Sequence, residues 1–380
     1  MAGIYIHIPF CKQACHYCNF HFSTVPKQMG AFVDALKKEI NITPSFIPQD
    51  QGAKEKINTL YFGGGSPSIL PIQDLQSIFE TLQKRFSFSE KIEITLEANP
   101  DDINKEKLLA WQSLGINRLS VGIQSFQDEE LKWMNRVHTA KESLDCIDAI
   151  QSAGFDNYSI DLIYGSPLLD DSNWKKNVAI VIEKKIPHIS CYALTVEPST
   201  ALNKMILQGK KEAVDADRQA NQFSLLMEWM ERAGYQHYEI SNYALPGKKS
   251  MHNSNYWEAD AYYGFGPSAH SFDGHKTRSW NIANNALYIQ SLANNQIPKE
   301  QEVLSSQEQL NEYSMTALRT NTGIDLNKVE SIHGADAVTG LLNAAQPYIQ
   351  SKKIRVEDNH ILLSKEGKLF ADGIAAALFF

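Results

Sequence analysis

Three of the five cysteines, Cys11, Cys15 and Cys18, lie within eight residues, in Pro9-Phe10-Cys11-Lys12-Gln13-Ala14-Cys15-His16-Tyr17-Cys18-Asn19-Phe20. Three thiolates at C-x3-C-x2-C spacing on one short loop can hold three corners of a cubane iron–sulfur cluster. The fourth iron then stays open to an outside ligand. Structural zinc is the competing chemistry, because His21 continues the pattern as x2-H and would close a site of three cysteines and one histidine. A disulfide is disfavoured by the odd local count and by the absence of an export signal. Cys146 and Cys191 have no spacing partners and read as buried apolar residues.

Other residues able to do chemistry follow at intervals. Tyr61-Phe62-Gly63-Gly64-Gly65-Ser66-Pro67 brings three glycines together, so the backbone can adopt positive φ and approach a ligand closely. No Gly-Lys pair follows, which excludes a P-loop. Glu97, in Glu97-Ala98-Asn99-Pro100, is a carboxylate at a strand end, the place for a ligand contact or a helix cap. Asp161 stands inside the apolar run Ile160-Asp161-Leu162-Ile163, where burial demands a partner. Later, His252-Asn253-Ser254-Asn255-Tyr256-Trp257 joins an imidazole to two aromatics, and His270 is a further pocket candidate without an assigned role.

Placing these residues requires a repeating frame. Runs with β character at Ile4–Ile8, Ile57–Phe62, Ile92–Leu96, Arg118–Ile123, Tyr158–Ile163, Ile186–Leu194 and His237–Ile240 alternate with helical patterns. The helices are expected over Gln28–Ile42, Ile72–Arg85, Lys105–Leu114, Ala140–Ala153 and Asp217–Ala233. Such alternation predicts parallel βαβ units with right-handed crossovers, and here an α/β partial barrel of about six units over residues 1–244. In a barrel the functional loops follow strand C-termini, where the cysteine, glycine and Glu97 motifs fall. Residues 245–290, rich in Gly, Asn, Ser and aromatics, are expected to connect. Residues 291–380 are expected to form a helical, winged-helix-like domain with a small hairpin (Ile354–Val356, Ile361–Leu363) and a last helix over Glu366–Leu378.

The cysteine spacing after the first strand resembles the radical S-adenosylmethionine (SAM) superfamily. In that superfamily a 4Fe-4S cluster on the three cysteines binds the amino and carboxylate groups of SAM. One electron from the cluster cleaves SAM to methionine and a 5′-deoxyadenosyl radical. The longer stretch Ile4-Tyr5-Ile6-His7-Ile8-Pro9-Phe10-Cys11 is similar to the branch holding oxygen-independent coproporphyrinogen III oxidases and heme chaperones. The resemblance implies that Gly64, Gly65 and Ser66 meet the SAM amino group and Glu97 its ribose. It also implies that Gln124, Arg136 and Asp161 line the SAM or second-ligand pocket, and that Tyr5 and Tyr17 contact cofactor beside the cysteine loop.

Within that branch three features favour the chaperones. Phe20 stands where the oxidases carry a further cysteine, the strand begins at residue 4 without the oxidases' leading extension, and the H-N-x-x-Y-W motif is the one associated with heme. Imidazole is a common axial ligand to heme iron, and aromatics offer apolar faces to the macrocycle. The resemblance therefore implies a chaperone that binds heme through His252 and delivers it to respiratory hemoproteins. The alternative is an oxidase that decarboxylates coproporphyrinogen III to protoporphyrinogen IX.

Composition fits this frame. The chain has 380 residues, 43% of them apolar and 21% charged, enough for a large buried core. With 36 Lys and Arg against 44 Asp and Glu, a general nucleic-acid surface is not expected. No apolar run is long enough to span a bilayer and no signal-peptide pattern opens the chain. The expected location is cytoplasmic, with peripheral contact at the inner face of the membrane if the acceptors are respiratory enzymes. The surface carries no oligomer signature.

Overall fold

The computed structural model describes residues 2–46 and 54–380. Six parallel strands form its centre: β1 (Ala2–Ile8), β2 (Lys56–Gly64), β3 (Ser87–Ala98), β4 (Arg118–Gln124), β5 (Tyr158–Tyr164) and β6 (His188–Ala193). They lie side by side in chain order within one 12-stranded sheet. The short antiparallel strands β7 (Gln236–Glu239) and β8 (Asn242–Ala244) continue the sheet beyond β6. On the other side β9 (Ala261–Phe265) runs parallel to β1, with Ala2 opposite Ala261 and Ile6 opposite Phe265. Then β10 (His270–Phe272), β11 (Thr277–Asn281) and β12 (Lys299–Val303) complete the order β12-β11-β10-β9-β1-β2-β3-β4-β5-β6-β8-β7. The parallel α/β architecture read from the alternation is the one observed.

Residues 245–290, expected to be a connection, instead carry the helix Met251–Trp257 and three strands of this sheet. The physical reason is β1. Its flank away from β2 would otherwise expose a row of unpaired backbone groups, and β9 covers it.

Strand alternation sorts the sheet faces. Ile4, Ile6 and Ile8 of β1 are fully buried in the main core with Phe32, Leu36 and Ile40 of the helix Met29–Ile42. The helix Ile72–Arg85 brings Leu75, Ile78, Phe79 and Leu82 to the same core, the stripe that its spacing predicted. The opposite face of the strands carries Gly3, Thr59, Thr95, Ser120, Ser159 and Ser190 among larger polar residues. Barrel interiors are ordinarily filled by branched apolar side chains. Small polar residues here leave the concave side hollow.

A second apolar core gathers Leu310, Leu318, Ile324, Val329, Leu341, Ile361 and Ile374. The helix Ser306–Leu318 is followed by β13 (Ile324–Asp325), helices Leu326–His333 and Ala335–Gln350, and the hairpin β14 (Ile354–Glu357) and β15 (His360–Leu363). This is the expected helical unit with a small wing. The last helix is shorter than expected: Gly367–Phe370 is a tight 3-10 turn, and the α-helix spans only Ala371–Ala377. Backbone hydrogen bonds from Ile240 to Arg319 (3.0 Å) and from Asn321 to Tyr238 (2.9 Å) dock this unit on β7. The buried Glu239 adds a 3.1 Å contact with Arg319.

Candidate cofactor cavity

The cysteine loop leaves β1 and folds back on itself. Cys11 N–H donates to Ser23 O at 3.0 Å, and Ser23 N–H donates to Pro9 O at 2.9 Å. Its middle is held from two other elements: His16 N–H reaches Met134 O (3.1 Å), and Leu202 N–H reaches His16 O (2.7 Å). At the rim Lys12 pairs with Asp101 at 2.7 Å and with the buried Asp102, tying the loop to the turn after β3.

The glycine run stitches onto the same strand exit. Gly65 N–H donates to Ile8 O (2.8 Å) and Ser66 N–H to Phe10 O (2.7 Å). A Cβ on Gly65 would stand 2.5 Å from Phe10 O, and Gly64 has φ +107°, so both positions require glycine.

Cys11, Cys15, Tyr17, Cys18, Gly64, Gly65, Ser66, Glu97, Gln124, Arg136 and Asp161 line one cavity of about 460 Å³. The three thiols are free and only half-buried, and burial pushes the Cys11 thiol up to about 11. Among the described residues no three His, Cys, Asp or Glu side chains are drawn into ligating geometry, so the thiols share a wall without converging. What fits a cluster is the donor set, three free thiols facing one cavity. It does not fit zinc closed by His21. The His21 Nε2 meets Asn285 Oδ1 at 2.7 Å, and the residue is absent from the cavity wall.

Arg136 is the hub on the far side. Its guanidinium donates to Cys15 Sγ (3.4 Å), Asn99 Oδ1 (2.7 Å) and Gly122 O (2.7 Å), a set that a flexible ammonium would not span. Glu97 accepts from Tyr61 OH (2.8 Å) and Gly64 N–H (3.1 Å). Burial dominates its titration and, with the nearby Asp161, raises it to about 7 against those two hydrogen bonds. Burial likewise lifts Asp161 to about 6, opposed by Ser190 and by the positive charge of Arg136 and Arg118. Gln124 ends β4 with φ 66°, at a register break against β5 that turns its side chain into the cavity.

Tyr5 and His252 stand apart from this wall. Tyr5 lies against Tyr61, ring centroids 6.0 Å apart, and its hydroxyl meets His7 Nδ1 at 3.3 Å. His252 opens the helix Met251–Trp257, whose first turn is held inside the barrel by the buried Glu93. That carboxylate accepts from Met251 N–H (3.1 Å) and His252 N–H (2.9 Å). The imidazole stacks on Tyr61 at 4.9 Å, and its Nδ1 meets Thr59 Oγ1 at 2.9 Å. Burial lowers its titration to about 4, so the ring is neutral near pH 7.

A family model for the Radical SAM superfamily matches residues 5–179, and one for the HemN C-terminal domain matches residues 304–370. The chain is 30% identical over 381 residues to a Bacillus subtilis protein named heme chaperone HemW, covering 99% of each. A Synechocystis protein of the same name is 34% identical, covering 87% of this chain and 80% of that one. The chain belongs to the HemW family of radical SAM proteins.

An Escherichia coli protein named heme chaperone HemW is 33% identical over 270 residues, or 70% of this chain and 69% of that one. The crystal structure of Escherichia coli coproporphyrinogen III oxidase superposes with a TM-score of 0.85 at 22% identity, covering 100% of this chain and 90% of that one. That likeness carries the fold. Within this HemW-family chain, sequence reasoning missed several cavity residues. Asn99 joins Ser66 Oγ (2.7 Å) to Arg136, while Phe20, Phe22, Ser120, Ser190, Tyr192 and Asn253 are among the further wall residues. Asn99 sits two places after Glu97, so alternation from that carboxylate was the available signal. Asn253 had none, since nothing in the sequence brings residue 253 back inside the barrel.

Proposed function

We propose that this chain carries a 4Fe-4S cluster and SAM in the cavity and acts as a heme chaperone delivering heme to respiratory hemoproteins. Cys11, Cys15 and Cys18 would hold the cluster, which supplies an open iron and one-electron chemistry when bound. Gly64, Gly65 and Ser66 present backbone and hydroxyl groups where the SAM amino group would sit, and Glu97 offers its carboxylate to the ribose. Arg136 fixes the position of Cys15 and of the turn at Asn99.

The observation carrying the heme reading is the state of His252. Its Nδ1 meets Thr59 Oγ1 at 2.9 Å; in the tautomer that carries the proton on Nδ1, the lone pair lies on Nε2, for which the described residues offer no hydrogen-bond partner. A neutral imidazole held by its other nitrogen is what metal ligation requires. Tyr256, half exposed, and Trp257 follow on the same helix. The name heme chaperone borne by full-length relatives supports the same reading. No helix among the described residues is long and apolar enough to cross a membrane, so contact with a respiratory acceptor would be peripheral.

Heme titration of the anaerobically reconstituted protein tests this. Stable heme binding that weakens at least about tenfold in His252→Ala, a loss of about 1.4 kcal/mol, is expected. Conversion of coproporphyrinogen III to protoporphyrinogen IX by the purified protein would overturn it in favour of the oxidase.

A further inference from the structure

The His252 ring has two aromatic neighbours, and each leads elsewhere. Tyr61 stacks on it at 4.9 Å and donates its hydroxyl to Glu97 at 2.8 Å, on the cavity wall. Tyr5 lies 6.5 Å from it and 6.0 Å from Tyr61, and its hydroxyl meets His7. His7 Nε2 in turn meets the backbone oxygen of His21 at 2.9 Å, three residues beyond Cys18 on the loop bearing the thiols. The two tyrosines face one another because β1 and β2 are in register there, Tyr5 opposite Tyr61. Besides the chain link to Asn253, the imidazole thus reaches the cavity through these two rings, one linked to its carboxylate and the other to its cysteine loop.

We infer that Tyr61 and Tyr5 are positioning residues that couple His252 to the cluster cavity, so that a ligand at Glu97 and a metal on His252 Nε2 bind with mutual dependence. This rests on the heme and SAM reading above. The physical argument is continuity of contact. A ribose hydroxyl on Glu97 would share the carboxylate whose Oε1 already accepts from the Tyr61 hydroxyl, and the Tyr61 ring cannot shift without moving the imidazole stacked on it. Thr59 holds the other end of that imidazole, and Gly3 leaves room beside it: a Cβ there would lie 3.6 Å from the His252 ring. The ring can thus respond to Tyr61 by tilting about Thr59. Coupling between two sites is reciprocal and commonly runs from about 5-fold to 150-fold.

The cluster-reconstituted full chain is titrated with heme in the absence and presence of saturating SAM, and with SAM in the absence and presence of heme. The expected result is one coupling factor of about fivefold or more, equal in both directions. Tyr61→Phe keeps the stacked ring and removes the hydroxyl, and should bring that factor to about one whatever it does to either affinity alone. A factor of one in the unmodified protein, or an unchanged factor in Tyr61→Phe, would overturn the coupling.

A second measurement needs no heme. The imidazole 15N signals of His252, assigned with His252→Gln, should move on addition of SAM in the unmodified protein and stay still in Tyr61→Phe. A shift without any heme binding would sink the chaperone reading and keep the link. No shift at all would sink the link even if heme binds.

Discussion

Glu97 is the group whose removal the fold should register most clearly through pH. Its carboxyl is raised from 4.5 to about 7, chiefly by burial, with the charge of Asp161 adding to the effect. The folded chain therefore holds this proton more tightly than the unfolded chain. The resulting stabilisation is complete below about pH 4.5 and is lost as pH rises through about 7. Moving a carboxyl from 4.5 to about 7 corresponds to about 3 kcal/mol, an upper value because the carboxylate lines the cavity rather than the apolar core. Glu97→Gln keeps an oxygen for Tyr61 and Gly64 but has no proton to release. Asp161, raised to about 6 and facing the same cavity, loses a negative neighbour in that variant. The assay is urea unfolding of the reduced, cofactor-free chain at half-unit steps from pH 5 to 8. The unmodified protein should lose up to about 3 kcal/mol relative to the variant across that window. Parallel curves, or an unmodified protein that gains on the variant as pH rises, would refute the burial argument.

Three further substitutions follow from the structure. Cys11→Ser should abolish the brown colour and bound iron after anaerobic reconstitution, while urea unfolding of the cofactor-free chain changes by less than about 1 kcal/mol; a colourless zinc-containing protein would contradict the cluster assignment. Gly65→Ala forces a Cβ against Phe10 O and should destabilise by about 1–3 kcal/mol and weaken SAM binding, whereas Gly30→Ala, with open space at its Cβ, should be neutral or stabilise by up to about 1 kcal/mol in thermal unfolding.

Much of the site was legible because the motifs are local and the frame is repetitive. The helix Ile72–Arg85 is readable to the residue from apolar spacing. The cysteine, glycine and Glu97 motifs each fall at or just beyond the C-terminal end of a parallel strand, so the barrel rule alone brings them to one rim. What stayed hidden depends on pairings distant in sequence. Strand β9 reads poorly because Gly264 and two tyrosines dilute its apolar pattern, and only its position beside β1 explains it. The cofactor role expected for Tyr5 is a case of side-chain direction. Tyr5 and Gly63 both face the concave side, and a Cβ at Gly63 would sit 2.9 Å from the Tyr5 ring, so Tyr5 packs behind the glycine run rather than along the cavity wall. The placement of His252 was equally out of reach, since Glu93, the anchor of its helix, lies 159 residues earlier in the chain.

The pairing of β1 with β9 also sets an order of events during synthesis. The strand that carries the cysteine loop is synthesised well before residues 261–265, which supply its second flank. Until then β1 has one partner strand and one bare edge, and no helix Met251–Trp257 closes the concave side below it. Long-range pairing of this kind is slow to form and exposed to misassociation while it waits. A nascent chain of this protein therefore has its thiols in the open well before it has a finished cavity around them. On the proposed reading, iron–sulfur loading would follow the pairing of β1 with β9, and truncation ahead of β9 should yield a species prone to aggregate through the edge of β1.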